Sequence, residues 1–153
     1  MKRWLAAAVC AALIVPTGAV AAKSLSHSAY SAMLKQADAQ VTRAESPVEK
    51  SLQSKSGSSA ELKRLMLHWA ATETTLGRRF AAVTPPEVSA RKANRDLSRG
   101  ELDLGAETRA IALQLPTTKA AALAYVQRHN PKGGAELDKA LAELRAAGYA
   151  TGD

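Results

Sequence analysis

Apolar residues along this chain recur at alternating spacings of three and four, the period that gathers them on single faces of helices. Tyr30, Leu34, Ala37, Val41 and Ala44 form one such face and predict a first helix over 28–45. Ser46-Pro47-Val48-Glu49 has the form of a fresh helix start, with a serine cap, a proline where no amide hydrogen is missed and a glutamate placed to close a capping box. The first helix is therefore expected to stop or kink there, with helical continuation possible as far as Lys55. Ser54 to Ser59 reads as a loop by composition.

Ser58-Ser59-Ala60-Glu61 repeats the capping-box pattern and opens a second helix with the most clearly amphipathic face in the chain: Leu62, Leu65, Met66, Trp69, Leu76, Phe80 and Val83. In Thr84-Pro85-Pro86-Glu87 the prolines end that helix, and Thr84 is expected to cap the next with Glu87 bonding back. The third helix is expected over 86–114, with Ala90, Ala93, Leu97, Leu104 and Ile111 on its buried stripe. Gly100 and Gly105 weaken it and mark either a close helix crossing or a bend. Pro116 stops it, and Thr117 is expected to cap a helix carrying Leu123 and Val126. After a turn at 130–134, a last short helix holds Leu137, Leu141 and Leu144, and Gly148 ends it. No strand-like alternation or fixed repeat is visible. The expected fold is all-α: an antiparallel bundle of about four helices with a short extra C-terminal helix.

The first residues change the picture. Met1-Lys2-Arg3 is followed by an uncharged run from Trp4 to Ala22 with an apolar segment over Leu5–Val15. Pro16-Thr17-Gly18 breaks it, and Ala19-Val20-Ala21 supplies small residues for a signal peptidase. Residues 1–22 therefore read as a cleaved Sec-type signal peptide, and 23–153 as one helical domain with a flexible spacer at 23–28 and a flexible tail at 149–153. Export to a periplasm, a cell wall or the medium follows as an expectation, with no membrane span after cleavage. Cys10, the only cysteine, leaves with the signal, so the mature chain has no thiol and no disulfide. The 21 Lys and Arg outnumber 14 Asp and Glu, and loss of Lys2 and Arg3 leaves 19 against 14, a formal charge of +5.

Candidate chemistry is sparse. His27, His68 and His129 lack both His-x-x-x-His and Glu-x-x-His spacing, so no metal site or cofactor is expected. Glu73 and Glu107 fall on or beside stripes that otherwise read apolar, and with His68 they make a candidate acid–base or cation site, provided the three converge within about 5 Å. Arg91, Arg95 and Arg99, flanked by Lys92 and approached by Arg78 and Arg79, form a candidate anion-binding stripe. Glu87 and Asp103, each four residues from an arginine, answer part of that charge locally. Few aromatic platforms and no phosphate loop argue against nucleic acid or nucleotide.

The signal peptide, the second helix ending in Val83-Thr84-Pro85-Pro86-Glu87 and the long third helix together resemble small exported helical proteins of alanine- and arginine-rich bacteria. The resemblance covers Leu62 to Leu115 and implies no activity for any residue. The expected function is a noncatalytic, exported binding or interaction module whose partner is an unidentified protein or an anionic envelope component. The alternatives are a binder of anionic polymers or headgroups through the arginine stripe, and a small acid–base or cation-dependent enzyme built on the glutamates.

Overall fold

The computed structural model describes residues 22–54, 56–129, 131 and 134–151. The signal-peptide reading of 1–22 thus lies outside the described residues except for Ala22, as do parts of the 130–134 turn and residues 152–153. The chain is a mostly helical, all-α bundle of five described helices: α1 (His27–Gln53), α2 (Ser59–Ala81), α3 (Val88–Leu113), α4 (Lys119–Arg128) and α5 (Gly134–Ala146). The most extensive packing is between α2 and α3, followed by α3 with α5 and α1 with α2. Among the described residues no helix is long and apolar enough to cross a membrane.

The helix starts follow from local chemistry. Ser26, Ser58 and Thr118 sit in extended geometry, and each side-chain oxygen accepts the backbone N–H three residues on. The cap of α4 is thus Thr118, one residue later than expected. Gly57, at φ +88°, turns the chain into the Ser58 cap.

Of the outcomes expected at Pro47 the stop does not occur, and the continuation toward Lys55 does. The helix continues through Pro47, although proline removes one backbone donor. Val48, 1% exposed, compensates by burying its side chain, and Leu52 packs beside it. The end of α1 is also tied from outside: Lys119 Nζ donates to Ser51 O at 2.8 Å and to Ser51 Oγ at 2.7 Å.

The α2–α3 connection also differs from expectation. Thr84 does not cap α3; Glu87 holds the cap position without a side-chain hydrogen bond. Val83–Thr84 forms β2, which pairs in parallel with β1 (Lys23–Ser24). Lys23 N–H donates to Ala82 O and Leu25 N–H to Thr84 O, so the stretch expected as a spacer carries sheet bonds and the cap of α1. At the other terminus Gly148, at φ +88°, closes α5: Tyr149 N–H bonds to Leu144 O and Gly148 N–H to Arg145 O, a Schellman arrangement. Tyr149, the first residue of the expected tail, is buried against Tyr30 and stacks on His27.

Two apolar cores result. One gathers Tyr30, Phe80, Ala93, Leu97, Leu144 and Tyr149 beneath α5. The other gathers Val48, Leu62, Met66, Ile111, Ala122 and Val126 beside α4.

Candidate functional site

A chamber of about 270 Å³ opens among α1, α2, α3 and α5. Its position depends on how closely α2 and α3 approach. A Cβ on Gly105 would lie 2.7 Å from Thr74 Oγ1 and 2.9 Å from Ala70 O; one on Gly77 would lie 2.8 Å from Ser98 O. Each glycine therefore marks a close crossing. Ser98 Oγ donates to Gly77 O at 2.8 Å across the same seam. Gly100 plays the same part toward α5, since a Cβ there would meet Leu137 Cδ2 at 2.6 Å.

Between these contacts two carboxyl groups turn inward. Glu73 of α2 is 1% exposed and Glu101 of α3 is 7% exposed, and both line the chamber. Trp69 Nε1–H, one turn before Glu73, donates to Glu73 Oε1 at 2.6 Å. Oε2 of Glu73 and Oε2 of Glu101 have no protein N–H or O–H donor among the described residues. Burial holds the Glu101 carboxyl well above the ordinary carboxylate range, and its hydrogen bond to Glu73 and the repulsion between the two charges add to the shift. Glu101 therefore keeps its proton at neutral pH.

The rest of the wall divides in two. Leu34, Val41, Phe80, Leu97, Leu104 and Leu141 contribute apolar surface, and Asp38, Glu45 and Asp138 add further carboxyls. Glu45 is half-buried, and burial, then Glu49 and Glu73, push its carboxyl above the usual range. No Lys, Arg or His among the described residues lines the chamber, in a chain whose net charge is +7.

No family model, curated protein or solved structure matches the chain. The geometry therefore carries the argument alone. Of the three residues expected to converge, only Glu73 is in the chamber. Glu107 is exposed on α3, and His68 is exposed in a separate shallow groove beside Gln40, Arg43 and Thr72. The partner of Glu73 is Glu101. Among the described residues no cluster of three or more His, Cys, Asp or Glu is arranged to hold a metal ion.

A signal for Glu101 was present in the sequence. Asn94, Ser98, Gly105 and Thr108 form a stripe of small and polar residues at helical spacing, and Glu101 lies within it. All five are buried against α2 or its neighbours, because small residues admit the closest helix approach. The stripe of large apolar residues alone leaves Glu101 and Glu107 equally placed on its two edges.

The basic candidates are spread over the surface. Arg91, Arg95 and Arg99 are all exposed. Lys92 pairs with Asp96, Arg99 Nε lies 3.8 Å from Asp103, and Arg91 Nη2 reaches Pro86 O at 3.5 Å. Arg79 Nη2 donates to Gln36 Oε1 of α1 at 2.8 Å, while Arg78 is exposed in the last turn of α2. Arg79 is thus engaged with α1 rather than with the stripe on α3.

Proposed function

We propose that the chain is exported, loses residues 1–22, and serves in the periplasm, on the wall or in the medium as a noncatalytic binding module on an antiparallel helical frame. Its ligand occupies the chamber among α1, α2, α3 and α5. The observation that carries this reading is the pair of buried carboxyls, Glu73 and Glu101, in the wall of a chamber that also offers apolar surface and whose ionisable lining among the described residues is all acidic. Buried polar groups are costly without partners, so carboxyls held in a cavity wall mark a place where a ligand can supply what the fold does not. The volume exceeds the roughly 150 Å³ of an engineered cavity that accepts benzene and approaches the lower end, about 300 Å³, of ordinary ligand pockets.

The test is a panel of small amines, acids, alcohols and hydrocarbons, read by thermal shift and by tryptophan fluorescence in the Trp4→Phe chain, where Trp69 is the sole indole. At least one class should bind, and Ala37→Leu, which fills the chamber wall, should abolish that binding while preserving the fold. A panel in which no member binds would sink the reading.

A second use of the same pair rests on the proton it holds: Glu101 as a general acid with Glu73 sustaining its charge. It expects a bound ligand to be converted, with turnover lost in Glu101→Gln. A binding module returns its ligand unchanged, which mass spectrometry of the released ligand decides.

A further inference from the structure

We infer that the chamber's ligand class is an organic ammonium: a protonated amine on a small apolar body, its N–H groups satisfying the facing carboxylates of Glu73 and Glu101. The inference rests on the binding reading above and specifies its chemistry.

Three features of the chamber lead to it. Glu73 and Glu101 stand in the chamber wall, with Oε2 of each buried and without a protein hydrogen-bond donor among the described residues, so the carboxyls there are short of donors and not of acceptors. Every ionisable side chain among the described lining residues is acidic: Asp38 and Glu45 from α1, Glu73 from α2, Glu101 from α3 and Asp138 from α5. That field favours a cation and repels an anion. The remaining wall is apolar, with Trp69 and Phe80 as aromatic surfaces. A hard metal ion would require six or more oxygen ligands or retained water, whereas an ammonium needs a few acceptors and brings an apolar body suited to the leucine-lined wall.

The proton balance supports the same ligand. Burial and the neighbouring Glu73 hold the Glu101 carboxyl well above the ordinary range, so it keeps its proton at neutral pH. When an ammonium enters, that proton leaves to solvent. Binding thus replaces a proton by an ammonium without adding net charge to a buried site. Asp38 and Glu45 from α1 and Asp138 from α5 share the chamber wall with the pair, and Glu45 and Glu73 repel one another.

The experiment uses the full Trp4→Phe chain with 2-phenylethylamine, 2-phenylethanol, phenylacetate and calcium chloride, followed by fluorescence and calorimetry. The amine is expected to bind about tenfold or more tightly than the alcohol, and the carboxylate should not bind. In Glu73→Gln/Glu101→Gln the amine should weaken about tenfold while the alcohol is unchanged. Amine affinity should rise from pH 6 to pH 8, and calorimetry in buffers of different ionisation enthalpy should record up to one proton released. Should the double variant melt early, the proton release of the parent chain decides the matter. Equal binding of amine and alcohol would overturn the ammonium inference and leave the binding module standing; so would calcium binding that depends on the same glutamates. Undiminished amine binding by a folded double variant would place the amine elsewhere and overturn the inference. Absence of binding by every probe would overturn it too, and the broader panel would then decide the fate of the chamber itself.

Discussion

The two cores of this molecule are closed by different means. Beneath α5, the core around Phe80 is crossed by a buried polar chain: Tyr30 O–H donates to Asn94 Oδ1 at 2.6 Å, and Asn94 Nδ2 donates to Phe80 O and Val83 O, both at 3.1 Å. One asparagine thereby joins α1, the end of α2, β2 and α3. Beside α4, Val48, Leu62, Met66, Ile111 and Val126 meet through shape alone, and the polar ties lie at the rim, where Ser59 Oγ bonds to Pro116 O and Lys119 reaches Ser51. The chamber borders the first core. A cavity removes packing, and directional hydrogen bonds can hold its walls in place where contact cannot.

That contrast predicts how each core fails. Phe80→Ala should cost the most, about 3–5 kcal/mol, because the fully buried ring supports both core and chamber wall. Leu62→Ala in the other core should cost about 2–5 kcal/mol by the same cavity mechanism. Urea unfolding measures both. The contrast is sharpened by ligand binding, which Phe80→Ala should impair and Leu62→Ala should leave intact.

Asn94→Ala comes next, at about 3 kcal/mol, since it strands the buried Tyr30 hydroxyl and removes the side-chain donor from two backbone carbonyls. Tyr30→Phe removes one of those bonds and should cost about 1 kcal/mol. In a double-mutant cycle the two should be strongly non-additive. Additive losses would mean that the polar chain does not act as a unit.

The legible part of the fold was whatever depends on neighbours in sequence. Serine caps at Ser58, the proline break at Pro116 and the stripe from Leu62 to Phe80 are local devices, and the helices they predict are present. Pro47 left a stop or a continuing helix open because its local signature is that of a helix start, while the burial of Val48 and Leu52 that carries α1 onward depends on residues far away in the chain. Thr84 failed as a cap for a similar reason: its backbone is taken by β1, some sixty residues earlier, a pairing of two residues too short to leave a pattern. The chamber was half legible. Glu73 stands out inside an apolar stripe, but choosing Glu101 over Glu107 required knowing which edge of α3 faces α2, and that is set by glycine and serine contacts rather than by large side chains.

Glu101→Gln should act in the opposite direction to the core substitutions. The folded carboxyl titrates above its unfolded value, so between those two values the native state binds more protons than the unfolded chain. Its contribution is then fully present below the unfolded value and is lost as pH rises toward the folded one. The parent chain should lose stability from pH 5 to pH 8, and Glu101→Gln, which can still donate to Glu73 without holding a titrating proton, should flatten that decline. A gain of about 1–2 kcal/mol at pH 8 is expected, measured by urea unfolding across the pH range. An unchanged slope would show that the buried pair does not couple protonation to folding.

The smallest effect should come from the α4 rim. Lys119→Met removes the two bonds to Ser51 but keeps most of the aliphatic stem, so the loss is that of a charge near the carboxyl end of α1. Ser51 is only half-buried, and water can replace the ammonium there. The expected cost is about 0.5–1 kcal/mol, well below that of Asn94→Ala. It should shrink further in high salt, which screens an exposed charge but not a buried neutral network. If Lys119→Met matched Asn94→Ala, the division would be wrong: the α4 core would also depend on a polar tie, and its aliphatic packing would be insufficient to hold α1 beyond Pro47.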